Sequence, residues 1–290
     1  MRFIAILAWI LAFSAQVFSA QPASAASSPE MVSVERQLAY LVGSRSGEYG
    51  IAALDLSSGR SVSINGDQLF PMASTVKLAV AGAYLTQVDH GRRSLDDRIG
   101  SRSAAQLIDL MLTRSDNAAT DVLIRNLGGP ARVQQWLNLN GLPGIRIDRT
   151  IAQLLRSPRD LLDSRDSSSP HSMISFLRQL DKGNMLRPES RSYLLSAMSR
   201  CITGRNRMRA LLPAGTRVEH KTGTLNGLTG DVGFITMPDG RRLAVAFFAR
   251  GGSDRPRTIA EAARAIYDGF SGSWGGTMFS TFGSTGAARN

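Results

Sequence analysis

The 290-residue chain predicts an α/β fold: an antiparallel sheet of about five strands flanked by helices, plus an all-helical lobe. Three patterns carry that expectation. Stretches with a period of two occur near both ends of the chain, the middle from 103 to 199 shows only helical spacing, and a helical segment lies outside the strands at each end. Strands from distant parts of the chain then share one sheet, and the middle folds against it.

Residues 32–43 (VSVERQLAYLVG) carry apolar side chains at helical spacing and stop at Gly43. Residues 48–65 alternate around Ser57-Ser58-Gly59, which supplies the turn of a hairpin. Residues 73–90 predict a long, mostly apolar helix opening near Ser74. Further helices follow at AAQLIDLMLT, AATDVLIRNLG, ARVQQWLNLNG, SMISFLRQL and ESRSYLLSAMS, with an irregular stretch from Ile145 to Pro170 and no strand between 103 and 199. After Pro213 the period changes to two. TRVEHKTGT, GDVGFITM and RRLAVAFFAR predict three strands, Pro238-Asp239-Gly240 turns between the last two, and 257–269 return to helix.

The first 25 residues combine one charge, Arg2, with an apolar stretch from Phe3 to about Phe18 and an Ala23-Ser24-Ala25 ending. This is the pattern of a cleaved secretory signal peptide, so a secreted or periplasmic, soluble product is expected. The catalytic unit then covers 26–270, with an α/β lobe of 26–72 and 200–270 and a helical lobe of 73–199. Residues 271–290 are rich in Gly, Ser and Thr without periodicity and are expected to be disordered.

Composition narrows the function. A single cysteine, Cys201, excludes an intramolecular disulfide and a Cys-based zinc site. His90, His171 and His220 show no metal-ligand spacing, so neither metal nor cofactor is expected. The formal charge is +11, but the arginines are scattered with no basic run or interleaved aromatics, which argues against nucleic acid as a partner. A monomer acting on a small substrate is expected.

The basic residues are unequally divided, with three lysines (Lys77, Lys182, Lys221) among 34. Arginine holds its proton too tightly to act as a base, whereas burial and neighbouring charge tune a lysine amine downward. Lysines in so arginine-rich a background are candidates for chemistry.

Ser74-Thr75-Val76-Lys77 is the one place where a serine stands three residues before a lysine. On a helix these positions share a face, so the amine can take the hydroxyl proton and make a nucleophile. The nearby helix N-terminus favours a developing oxyanion. Two further segments join it: Ser115-Asp116-Asn117 between helices, and Lys221-Thr222-Gly223 on a strand.

Ser-x-x-Lys, Ser-Asp-Asn and Lys-Thr-Gly in this order are the signatures of the penicillin-recognising serine enzymes. The chain resembles the class A β-lactamase and penicillin-binding serine acyl-transferase family over about residues 32–270, which implies a β-lactamase/transpeptidase-like fold. LTRSDNAATDVLIRNLGGP, TGRNRMRALLPAGTRVEHKTGT and GDVGFITMPDGRRLAVAFF carry the likeness. By position, the resemblance makes Ser74 the acylated nucleophile and Lys77 its proton acceptor. Ser115 relays a proton to the leaving nitrogen, Asp116 orders the turn and Asn117 holds the substrate amide. Lys221 supplies positive charge, and Thr222 and Thr224 contact the substrate carboxylate beside Gly223. The N–H groups of Ser74 and Thr224 form the oxyanion hole, and Arg207 falls where several class A enzymes bind a carboxylate.

The departures matter as much. Where the family's loop has Leu-Asp-Arg-x-Glu-x-x-x-Asn, this chain reads Ile147-Asp148-Arg149-Thr150-Ile151-Ala152-Gln153-Leu154-Leu155. Ile151 replaces the glutamate that positions the deacylating water, and Leu155 replaces the asparagine. Arg149 and Asp166 match the pair that pins this loop. The 38-residue interval from Lys77 to Ser115 is also shorter than a typical member's. The resemblance therefore implies a complete acylation apparatus with weak or slow β-lactam hydrolysis and a D-Ala-D-Ala-type peptide or β-lactam as substrate. The alternatives are a true β-lactamase and a sensor that stays acylated.

Overall fold

The computed structural model describes residues 28–272. The expected signal peptide lies outside the described residues, and so does the expected disordered tail apart from its first two positions. The chain begins with α1 (Pro29–Gly43), β1 (Glu48–Asp55), β2 (Ser61–Ile64) and the two-residue β3 (Phe70–Pro71). A 3-10 turn, Ala73–Val76, leads into α2 (Lys77–Asp89). Then come β4 (Arg98–Ile99), β5 (Arg102–Ser103), α3 (Ala104–Thr113), α4 (Asn117–Asn126), α5 (Pro130–Leu139), α6 (Ile151–Arg156) and β6 (Ser167–Ser168). Next are α7 (Pro170–Lys182), α8 (Pro188–Ser199), β7 (Val218–Leu225), β8 (Leu228–Thr236), β9 (Arg242–Arg250) and α9 (Arg255–Ser271).

The principal sheet has five antiparallel strands in the order β2-β1-β9-β8-β7. Its centre explains the apolar run of β9. Leu243, Val245 and Phe247 face one cluster with Met31, Val34, Leu38, Ile259, Ile266 and Phe270 of α1 and α9. Ala244, Ala246 and Phe248 face the other, with Phe70, Met72 and the helical lobe. Being covered on both faces, the strand cannot show polar alternation.

The second cluster encloses α2. Every residue from Lys77 to Leu85 is buried, so the helix is apolar on all sides except where Lys77 projects. Local sequence sets the other boundaries. Ser103 with Gln106 and Thr150 with Gln153 form reciprocal capping boxes on α3 and α6, and Asp116 caps α4 through Ala119.

Three local expectations change. The helix expected from residue 73 opens as a 3-10 turn. Both geometries bring i and i+3 together, so periodicity does not separate them. The stretch expected to be irregular, 145–170, contains α6. Short strands also occur within 103–199, since Ser167–Ser168 pairs with Phe70–Pro71. A two-residue strand has no periodicity to read.

Candidate active site

Three elements meet at one end of α2: the 3-10 turn bearing Ser74, the loop between α3 and α4 bearing Ser115, and the edge strand β7. Gly223 lets them approach. A Cβ on this residue would stand 2.5 Å from the Met72 carbonyl oxygen and 3.2 Å from side-chain carbons of Ala73 and Thr75. Any larger residue at 223 would push β7 away from the turn that bears Ser74.

Left-handed backbone at non-glycine residues concentrates here. Of the five such residues described, Ala73 (φ 49°) precedes Ser74, Ser115 (φ 58°) bears a motif hydroxyl, and Asp166 (φ 51°) closes the neighbouring loop. Such conformations cost about 1–3 kcal/mol each and persist when the surroundings over-determine them.

Lys77 is fully buried, and its Nζ lies 2.7 Å from the Ser115 carbonyl oxygen, 2.7 Å from Asn117 Oδ1 and 3.1 Å from Ser115 Oγ. Ser74 Oγ is not among these partners. From the opposite side, Lys221 Nζ donates to Ser115 Oγ at 2.9 Å and to the Thr222 carbonyl at 2.9 Å. The Ser115 hydroxyl thus stands between two buried amines.

Both amines are easier to deprotonate than ordinary lysines. Burial, and then the charge of Lys221, bring Lys77 down to about 7 against the partial opposition of Asp116 and Asp121. Burial likewise lowers Lys221 to about 8. Desolvation disfavours the ammonium, and a second cation nearby disfavours it further.

Arg207 is buried rather than a surface arginine. It donates to the carbonyl oxygens of Gly223 (3.0 Å) and Gly230 (2.8 Å) and to Thr224 Oγ1 (2.6 Å). Thr224 is exposed at the end of β7, so this contact joins the guanidinium to the mouth of the site. The Thr222 hydroxyl is already engaged, meeting Thr203 Oγ1 at 2.6 Å.

Next to the Ser74 turn lies the loop with α6. Arg149 Nε donates to Asp166 Oδ2 at 2.5 Å, and Asp166 Oδ1 accepts the N–H groups of Asp148 and Arg149. The Asp166 carbonyl accepts from Met72 N–H at 2.9 Å, tying the loop's neck to the turn before Ser74. Ile151 is buried at the start of α6. Its N–H and that of Ala152 donate to the two carboxylate oxygens of Asp121 at 2.7 and 2.9 Å. Leu155 is half exposed.

No sequence pattern marks Asp121, Thr203 or the partner of His220. His220 Nδ1 lies 2.7 Å from Asp231 Oδ1, and both side chains are fully buried. Burial opposes the imidazolium, but the Asp231 carboxylate outweighs it and raises His220 to about 9. Strand alternation gives the face of His220 but not its cross-strand neighbour.

The sheet, the helical lobe and the convergence of Ser115 with two buried lysines beside a serine turn define a serine hydrolase of the acyl-transfer type. The chain belongs to the β-lactamase enzyme family, whose model matches residues 33–270. It is 28% identical over 267 residues to the extended-spectrum β-lactamase PER-1 of Pseudomonas aeruginosa, covering 81% of this chain and 86% of that protein. The β-lactamase CTX-M-8 of Citrobacter amalonaticus is 29% identical over 262 residues, covering 82% and 89%. Among solved structures, a β-lactamase from Chitinophaga pinensis superposes with a TM-score of 0.76 at 28% identity, covering 81% of this chain and 98% of that one. An ancestral class A β-lactamase superposes with a TM-score of 0.76 at 34% identity, covering 80% and 98%.

Proposed function

We propose that the protein is an exported penicillin-binding acyl hydrolase, DD-peptidase-like, that acylates readily on Ser74 and hydrolyses β-lactams slowly. The single observation that supports this reading is that two buried amines converge on Ser115 next to the Ser74 turn, while the aliphatic Ile151 stands where the family's loop carries glutamate.

The hydrogen bonds of Lys77 suit a base. A neutral amine has two N–H donors and one lone pair. The two 2.7 Å contacts, to the Ser115 carbonyl and Asn117 Oδ1, can only accept, so they use both donors. The lone pair is left for a hydroxyl proton: that of Ser74 during attack, or that of Ser115 at rest. Ser115, accepting from Lys221 on one side, can then pass a proton from Lys77 to the departing nitrogen.

Lys221, Arg207 and the exposed Thr224 form the cationic, hydroxyl-bearing end where a substrate carboxylate would sit. Thr222, already bonded to Thr203, contributes its backbone. The N–H groups of Ser74 and Thr224 are the oxyanion donors in this reading.

Deacylation needs a base beside the ester. At the position where related enzymes carry glutamate, Ile151 offers none, and the carboxylate of Asp121 is occupied by the first two N–H groups of α6. A second reading, efficient β-lactam hydrolysis, is favoured by the relatives, which are named as β-lactamases. The test is intact-mass measurement after adding benzylpenicillin. One adduct should form and persist on the parent chain and be absent from Ser74→Ala, and D-alanine should be released from a D-Ala-D-Ala peptide. Steady turnover of a chromogenic cephalosporin without accumulated adduct would instead establish the second reading.

A further inference from the structure

A cavity lies at the opposite end of α2 from Lys77, and no residue of the Ser74 site lines it. It holds about 880 Å³ between the last turns of α2, helix α5 and the segment joining α7 to α8. Its floor is built. Trp136 packs on α2 at Gly82, where a Cβ would stand 2.5 Å from the indole ring, and its Nε1–H donates to Thr86 Oγ1 at 2.9 Å.

Four arginines open on to this cavity: Arg92, Arg93, Arg132 and Arg187. Among the described residues none of their guanidinium groups has a carboxylate partner, whereas those of Arg45, Arg149, Arg241 and Arg242 each lie against one. Arg92 donates to Gln87 Oε1 at 2.7 Å and meets His90 Nδ1 at 2.8 Å, and Arg132 donates to Gln135 Oε1 at 2.9 Å. Arg93 donates to the side chain and carbonyl of Asn126 and lies over the Tyr84 ring. The one carboxylate in the lining, Asp89, is already engaged, accepting from Arg187 N–H at 2.8 Å and Ser190 Oγ at 2.6 Å.

Four cations around one concave space, with their only carboxylate committed to holding the start of α8, leave a local excess of positive charge. Guanidinium forks match the oxygens of phosphate, and several forks around one cavity suit an anion with many acceptor oxygens. Beside them stands Leu139, exposed to 79% on the same rim.

We propose that this cavity binds a small polyanion bearing at least two phosphate groups next to an apolar portion. A phosphorylated soluble molecule and a phospholipid headgroup share that chemistry.

The test is calorimetric titration of inorganic pyrophosphate into the full chain at low salt. One saturable site is expected. Arg92→Ala/Arg132→Ala/Arg187→Ala should weaken binding at least tenfold, since charge-assisted contacts are lost. Arg36→Ala/Arg102→Ala/Arg178→Ala removes the same charge from exposed positions elsewhere and should bind like the parent. Ser74→Ala should also bind unchanged, which separates this inference from the reading of Ser74. Circular dichroism confirms that each variant is folded. Cosedimentation with phosphatidylcholine vesicles containing cardiolipin, which carries two phosphates, lost in the cavity variant, would assign the lipid source; pyrophosphate binding alone would assign the soluble one. Equal weakening in both triple variants, unchanged binding in the cavity variant, or no saturable site would overturn the proposal.

Discussion

A lysine with no solvent access is held in its neutral form more easily than any arginine, and the proposed chemistry at Lys77 depends on that difference. Lys77→Arg keeps the charge and loses the accessible lone pair, so acylation by benzylpenicillin should be abolished while the thermal transition is retained. Lys182→Arg, at the exposed end of α7, should acylate like the parent. Intact-mass kinetics check both, and substantial adduct on Lys77→Arg would mean that another group takes the proton. The two lysines also predict a narrow pH optimum. Lys77 falls from an ordinary 10.5 to about 7, so the competent neutral amine becomes populated as pH rises through about 7. Lys221 falls to about 8, so the cation facing the substrate carboxylate is lost above that pH. The second-order acylation rate, measured by stopped flow with a chromogenic cephalosporin, should therefore peak between the two values; a rate flat across this range would contradict the assignment. At this scale composition is informative: the scarcity of lysine narrows the candidates to three, and two of them, Lys77 and Lys221, meet at Ser115 while Lys182 is exposed. It was silent on His220 and Asp231, whose ion pair exists only once two strands are in register.

At the scale of the element, the proposed function makes α6 and its loop the part that sets how long an acyl-enzyme would live. The loop's neck was readable because Arg149 and Asp166 stand in a recognisable pattern, and they meet at 2.5 Å. Its connection to the Ser74 turn, through β3 and β6, was not readable, because two residues carry no period. Nor was Asp121, on α4, whose carboxylate takes the N–H groups at the start of α6. That carboxylate alters the expected effect of restoring a base. A glutamate at 151 would stand near the Asp121 charge, and like charges would raise its pKa. Ile151→Glu should shorten the adduct's lifetime, and Ile151→Glu/Asp121→Asn should shorten it further, because an amide there leaves one carboxylate instead of two. Adding Leu155→Asn should contribute a polar partner for the water. A positioned base is worth about 10²- to 10⁴-fold, and a gain towards the lower end is expected from a site not built for it. The decay of the benzylpenicillin adduct by mass spectrometry measures it, and unchanged decay in every folded variant would place α6 away from the ester.

At the scale of the whole molecule, strands from the two ends of the chain form one sheet, and both lobes contribute to the site at its β7 edge. That architecture was legible because β1, β8 and β9 show sustained strand signals and the helices between them show sustained helical ones. The strand order β2-β1-β9-β8-β7 leaves β7, from late in the chain, at the edge beside the early turn that bears Ser74. Periodicity identifies such elements without giving their neighbours. Charge is the other global property. A formal net charge of +11 surrounds a site whose innermost cations, Lys221 and Arg207, are buried. An approaching anionic substrate therefore meets an attractive long-range field before it meets those two residues, and that field is screened within about 10 Å at 0.1 M ionic strength. The second-order acylation rate should fall as salt is added, and fall more steeply for a penicillin with two carboxylates than for one with a single carboxylate. The rate of deacylation, a step inside the covalent complex, should not change. Stopped-flow acylation across a salt series, paired with adduct decay in the same buffers, separates the steps. Equal slopes for the two penicillins would show that capture depends on the local contacts of Lys221 and Arg207 rather than on the charge of the whole protein.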